Sequence, residues 1–200
     1  MRKINAMARP SLKHERQRII LQSFTECIAA KGLDATTLDD IALKSKMRRS
    51  LLRHNVGNRT ELINQVAEYV STKFETIWHQ QQAQHANDDS DEWLLKTLFN
   101  NKPDEEYQAL IPAFFSLLAS AHRYPEVTQR LKKCFNVYVD DITQELSRRH
   151  PQASENDCKQ VSLGIVGIFF NWDSFLSLDL GEEIYELNWQ LVHRLILTLK

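Results

Sequence analysis

The sequence predicts an all-α protein of about nine helices. Three observations carry this. Only 5 Gly and 5 Pro occur in 200 residues, too few breakers for many short strands and turns. Apolar residues recur at spacings of three and four, and no stretch alternates as a strand does. Capping and stop residues fall between the apolar runs. A hydrophobic content of 42% and a charged content of 26% are ordinary for a soluble globular chain. The length suits one domain, or a small domain fused to a larger one.

Residues 1–11 read as a flexible basic arm carrying Arg2, Lys3 and Arg9. A first helix is expected from about Leu12 to Lys31, with Ile20, Phe24, Cys27 and Ile28 on one face and Gly32 as its stop, where a left-handed residue costs least. A short second helix starts at Thr37, whose hydroxyl and the Asp40 carboxylate form a reciprocal cap, and turns Ile41 and Ala42 inward. A third covers about Arg48 to Asn55 and carries Leu52 and Val56 into the core. Asn58 and Glu61 cap a fourth, buried along Leu62, Val66, Tyr69, Val70, Phe74, Ile77 and Trp78; its polar end, Gln80 to His85, is expected to fray or bend into a loop.

Five further helices follow. One spans about Asp91 to Asn100, around Trp93, Leu94, Leu98 and Phe99. The next, about Asp104 to Arg123, contains Pro112, which should kink it. Pro125 opens the seventh at its first turn, and that helix ends near His150–Pro151. Ser154 with Asp157 caps the eighth, to about Leu178, and Gly181 separates it from a ninth over Glu182 to Leu199.

The net charge of -1 conceals an uneven distribution. Residues 1–60 hold 13 Lys and Arg against 5 Asp and Glu, a net +8, whereas residues 61–200 are net -9. A basic first third on an acidic body suggests a nucleic-acid-binding head, since phosphates repel the remainder; a solvated basic surface without a partner is the plainer alternative. The chain carries no apolar run that marks a secretory signal or a bilayer span. Cys27, Cys134 and Cys158 are odd in number and far apart, which fits neither a disulfide framework nor a metal knuckle and suits reduced thiols in the cytoplasm. No HExxH, P-loop, GxSxG or CxxC pattern occurs. His79 and His85 do not share a helix face, and Asp140–Asp141 and Glu182–Glu183 read as solvated or helix-terminal charges. Neither catalytic residues, nor a metal, nor a cofactor is expected.

The most informative segment is TTLDDIALKSKMRRSLLRHNVGNRTELI, Thr36 to Ile63. It has the anatomy of a helix-turn-helix: a short capped helix, a tight turn at Ser45–Met47, a short basic helix and another capped helix. Arg48, Arg49, Ser50, Arg53, His54 and Asn55 crowd onto about two turns. A helix lying in the major groove needs that density of donors, because base edges and phosphates both accept hydrogen bonds.

Gly32, Thr36–Thr37, Ile41–Ala42, the Leu52–x–His54 region and the Asn58–Arg59 pair leading into Glu61–Leu62–Ile63 together resemble the signature of the TetR family of transcriptional regulators. The resemblance is specific over about residues 19–66. It implies a DNA-binding domain at 1–60 and an effector-binding and dimerisation domain at 61–200. Family members usually carry Gly where Lys46 stands, a small capping hydroxyl where Arg48 stands, a DNA-contacting tyrosine at Arg53, an aromatic at Val56 and a lysine at Arg59. Lys46 must then take a left-handed conformation, at a cost of about 1 kcal/mol, or the turn is built differently. Arg49, Ser50 and His54 are expected to reach base edges; Arg53, Arg59 and the helix start at Asn58 to hold phosphates; Thr37 to add a phosphate contact; and the arm to enter the minor groove or add long-range attraction.

In the body, VSLGIVGIFFNW, Val161 to Trp172, is apolar nearly all round, as a helix packed on two sides must be. Gly164 and Gly167 allow close approach of another helix. The resemblance implies a dimer interface built from the last two helices, for which Gly164, Gly167, Ile168, Leu191 and Leu195 are the candidates; central helices of a monomer are the alternative. It also implies an effector cavity, for which Phe114, Leu118, His122, Phe135, Tyr138 and Phe169 are candidates, suited to a mostly apolar ligand.

The expected partners are a palindromic double-stranded DNA operator, a second copy of the chain and a small-molecule effector, with no membrane, in the cytoplasm and on the bacterial nucleoid when DNA-bound. An effector-released repressor is the leading reading, and a constitutive or architectural DNA-binding protein on the same scaffold is the alternative. An enlarged interior cavity favours the first, a densely packed body the second.

Overall fold

The computed structural model describes residues 12–85, 92–99, 105–178 and 180–199, and those residues form helices and the turns between them, with no strand among them. The expected basic arm lies outside them. In chain order the helices are α1 Leu12–Lys31, α2 Leu38–Ser45, α3 Arg49–Val56, α4 Arg59–Gln84, α5 Glu92–Leu98, α6 Glu105–Ser120, α7 Pro125–Arg149, α8 Glu155–Ser174 and α9 Gly181–Ile196. Tight 3₁₀ turns at Ala121–Arg123 and Leu176–Leu178 extend α6 and α8.

The local signals act where the sequence places them. Gly32 ends α1 at φ 82°, and its amide donates to the Ile28 carbonyl at 2.7 Å. Thr37 and Asp40 form both bonds of the capping box at the start of α2, as Asn58 and Glu61 do at the start of α4. The Ser154 hydroxyl accepts from the Asp157 amide at the start of α8. Lys46 takes φ 56° and ψ 32°, so the turn is left-handed with a lysine in it. The Met47 amide closes that turn on the Ala42 carbonyl at 3.0 Å.

Several boundaries differ from expectation. The Gln/His-rich end of α4 stays helical to Gln84, because Phe74 and Trp78 are buried and hold the preceding turns against the body. α6 continues through Pro112 and tightens at Ala121 rather than running on as α-helix to Arg123. α9 stops at Ile196, short of Leu199.

α1, α2, α3 and the first turns of α4 enclose a small core of Ile20, Phe24, Ile41, Leu52, Val56, Leu62 and Ile63. α4 then leaves this head and enters the body, where α7 lies against α4 and α8, α6 against α1, and α8 against α9. The body's core holds Trp78, Phe99, Leu117, Ile142, Ile165 and Val166. Ion pairs cross its seams: the Arg130 guanidinium donates to both Glu75 carboxylate oxygens at 2.6 and 2.9 Å and also pairs with Glu68.

Candidate nucleic-acid interface and interior pocket

α3 is short, and its apolar positions decide its orientation. Leu52 and Val56 are buried together with Asn55. That roll leaves Arg49, Ser50, Arg53 and His54 exposed on the opposite face, with Arg48 exposed just before the helix. Arg48 makes no side-chain cap, so the amides of the first turn of α3 lack the hydroxyl partner usual at that position. Arg49 Nη1 lies 3.3 Å from Asp39 Oδ2, an exposed pair of little stability that can open toward another acceptor.

Two residues stand elsewhere than the sequence reading placed them. Asn55 is turned inward and donates to the Leu51 carbonyl at 2.7 Å, since it lies one turn after the buried Leu52 and directly before the buried Val56. Arg59 is not an outward cation: its guanidinium donates to the Thr36 carbonyl at 2.8 Å and the Leu33 carbonyl at 2.9 Å, closing the segment between α1 and α2. Thr37 and Asn58 are exposed, but their side-chain oxygens serve the caps of α2 and α4. Lys31, then the Thr37 hydroxyl and amide, hold the Asp40 carboxyl well below the usual carboxylate range.

Some positioning residues escaped the sequence reading. Gln65 donates to the Val56 carbonyl at 2.9 Å and accepts from Gln17 Nε2 at 2.8 Å, which ties the end of α3 to α1 and α4. The signal was a lone amide beside the buried stripe of α4. Gly57 sits at φ 77°, and a Cβ there would fall 1.8 Å from Glu61 Oε2, so the α3–α4 turn requires glycine while the cap is formed.

Behind the head, the body encloses a small cavity of about 10 Å³. Phe74 of α4, Phe114 and Phe115 of α6, Tyr138 of α7, and Phe169, Phe170 and Asp173 of α8 are on its wall. Of the expected pocket residues, Phe114, Tyr138 and Phe169 line it, and Phe135 lies one ring away, 5.9 Å from the Phe170 centroid. Leu118 and His122 do not. Leu118 lies a turn beyond Phe114 and Phe115, past the aromatic layer, and is 47% exposed; the 3₁₀ turn after α6 sends His122 to the surface. Asp173 was not anticipated. Burial pushes its carboxyl up to about 7, against the opposing effect of the Tyr107 hydroxyl, which donates to Oδ2 at 2.8 Å. Burial likewise pushes the Cys134 thiol up to about 12.

The expected interface residues divide. A Cβ on Gly164 would lie 3.1 Å from Leu195 Cδ1, so these two serve the packing of α8 on α9 within the chain. Gly167 has nothing within 4 Å of its Cβ position. With half-buried Ile168 and exposed Leu163, Ile184, Leu187 and Leu191, it leaves an apolar face on the last two helices. Among the described residues, no group of three or more His, Cys, Asp or Glu is placed to hold a metal, and no helix is long and apolar enough to cross a membrane.

No family model matches the chain. In sequence it is 27% identical over 148 residues to a helix-turn-helix transcriptional repressor of Mycobacterium tuberculosis, covering 72% of each chain. A regulator of Mycobacterium bovis matches at the same identity and coverage. Among solved structures, a TetR-family transcriptional regulator from Rhodococcus sp. superimposes with a TM-score of 0.72 at 15% identity, over 92% of this chain and 99% of that one. A transcriptional regulator from Saccharomonospora viridis in complex with choline gives 0.74 at 11% identity, over 92% and 96%. NalD of Pseudomonas aeruginosa, the secondary repressor of the MexAB-OprM multidrug efflux pump, gives 0.63 at 16% identity, over 91% and 96%. At such identities the structural likeness is one of fold, while the sequence likeness is to transcriptional regulators rather than to enzymes. The chain thus shares the fold of a TetR-family regulator and is similar in sequence to helix-turn-helix transcriptional regulators.

Proposed function

We propose that the chain represses transcription by binding a palindromic operator as a homodimer, and that a small molecule in the body releases it. The DNA-binding domain is 1–60 and the effector-binding and dimerisation domain 61–200, with α4 continuous across the boundary. The observation that carries the reading is the exposed quartet Arg49, Ser50, Arg53 and His54 on one face of α3. Arg49, Ser50 and His54 read base edges. Arg53 and Arg48 hold phosphates, and the starts of α2 and α4 at Thr37 and Asn58 lie on either side of them in the sequence. Asn55 and Arg59 position the head instead of touching DNA. One α3 reads too few bases by itself, and a twofold dimer joined through the apolar face of α8 and α9 supplies the second. The protein acts in the cytoplasm.

The constitutive reading has one observation in its favour: at about 10 Å³ this cavity holds no more than a water. The effector reading is supported by the buried carboxylate on that cavity's wall and by the choline-bound regulator of the same fold. Unbiased selection of bound fragments from the source genome tests the proposal. Fragments sharing two half-sites one or two helical turns apart are expected. Binding with no sequence dependence at moderate salt overturns it.

A further inference from the structure

The wall of the interior cavity combines aromatic rings with a single carboxylate. Phe74 meets Phe114 edge-on with centroids 5.4 Å apart; Phe114 lies 5.6 Å from Phe170, and Tyr138 lies 5.8 Å from Phe169. Asp173, only 7% exposed, accepts from Tyr107 at 2.8 Å, and among the described residues no Lys or Arg is paired with it. A buried carboxylate with one hydrogen bond and no counter-charge is costly. Accepting from a tyrosine hydroxyl does not require that charge; an amide oxygen does it equally well.

Aromatic faces attract cations through their quadrupole, and a carboxylate does so through its charge. Ring faces and Asp173 therefore favour a positive centre and disfavour an anion. We propose that this cavity takes a monovalent organic cation of the alkylammonium type, its charged centre among Phe114, Tyr138 and Phe170 and paired with Asp173. The inference rests on the effector reading and names the chemistry of its ligand, replacing a mostly apolar molecule with a cationic one.

The ligand must part the rings, because the cavity of about 10 Å³ is filled by a single water-sized body. Phe115 and Phe170 are the half-buried rings of the wall and form the way in. Phe115 directly precedes Ser116, which accepts a hydrogen bond from the Leu33 amide in the head. A ligand that displaces Phe115 therefore bears on the segment that Arg59 closes from the other side.

The test uses the full-length protein and isothermal titration calorimetry with tetramethylammonium and choline, alongside 3,3-dimethylbutan-1-ol, the uncharged isostere of choline. At least one cation is expected to bind wild type, with the alcohol at least about tenfold weaker than choline if choline is the binder. Asp173→Asn, which keeps the shape and the acceptor for Tyr107, is expected to weaken the cation about tenfold or more; Phe170→Leu weakens it severalfold, and circular dichroism checks that both variants are folded. Binding by none of the cations, equal binding of the alcohol and choline, or undiminished binding by folded Asp173→Asn overturns the inference. Release of selected genomic DNA, scored in the same samples, separates it from the reading beneath it. A cation that binds without releasing DNA sinks the effector reading alone. Release by an uncharged compound when no cation binds sinks the ligand class alone.

Discussion

The Leu33 amide donates to Ser116 Oγ at 2.8 Å, joining the segment after α1 to the middle of α6. Asp34, the next residue, pairs with Arg123 beyond α6 at 2.8 Å, and Arg123 also donates to Ser120. The head is thus fastened to the helix that supplies Phe114 and Phe115 to the cavity. Ser116→Ala leaves the Leu33 amide without this partner and should lower stability by about 1 kcal/mol, read as a lower urea midpoint at an unchanged m-value. An unshifted midpoint would show that the bond adds nothing to the seam.

Arg53 is exposed at the centre of the α3 face. Arg53→Ala should weaken binding to all DNA sequences alike and reduce the salt slope by about 1. Arg49→Ala should instead relax preference at one base position, after losing at most an exposed pair with Asp39. Fluorescence anisotropy at several salt concentrations, on a selected site and on random DNA, distinguishes the two. A change of base preference in Arg53→Ala would remove it from the phosphate contacts.

Lys46 is the one non-glycine residue with positive φ among the described residues. Lys46→Gly removes a left-handed strain of about 1 kcal/mol, offset in part by the greater freedom of glycine in the unfolded chain. A small rise in Tm is expected, whereas Gly57→Ala, with its Cβ driven onto Glu61, should lower it. Equal Tm for all three proteins would mean that neither turn governs the head.

Asp173 makes stability depend on pH. Its folded carboxyl titrates near 7, against about 3.9 in an unfolded chain. The raised value means that the folded state keeps a proton which the unfolded state has already lost. Its contribution is fully present below about pH 4 and is lost as pH rises toward 7, at roughly 1.4 kcal/mol per unit at most. Tyr107 from α6 and Tyr138 and Cys134 from α7, which share its surroundings, are shifted upward and stay neutral in this window. Asp173→Asn should therefore gain on wild type between pH 5 and pH 8 in urea unfolding. A constant difference across that range would place the titration elsewhere.

Leu187 and Leu191 are exposed on α9, away from the buried Val192 and Ile196. The double substitution Leu187→Lys and Leu191→Lys should convert a dimer to a monomer in sedimentation and cost most of the operator affinity, with little change in helix content. A dimer that persists would move the interface off this face.

What could be read from the chain alone was local. Thr37 with Asp40, Asn58 with Glu61 and Ser154 with Asp157 lie three residues apart, and a helix brings such pairs together whatever surrounds it. Gly32, Pro125 and the apolar spacing of α3 act over the same short range. They establish the all-α class, the order of helices and the head. The residues misplaced from sequence depend on partners far along the chain. Arg59 could be told from a DNA-facing cation only once the Leu33 and Thr36 carbonyls came within its reach. Gly164 proved to be filled by Leu195 of its own chain. Leu118 and Phe114 share a helix and an apolar character, yet only the stacking of α7 and α8 decides which of them meets the cavity. Asp173 sits at the end of an apolar run and reads as the edge of a helix until Tyr107, 66 residues away, closes over it. Caps and periodicity are backbone properties set by neighbouring residues, whereas burial, and the charge it disturbs, belongs to the packed whole.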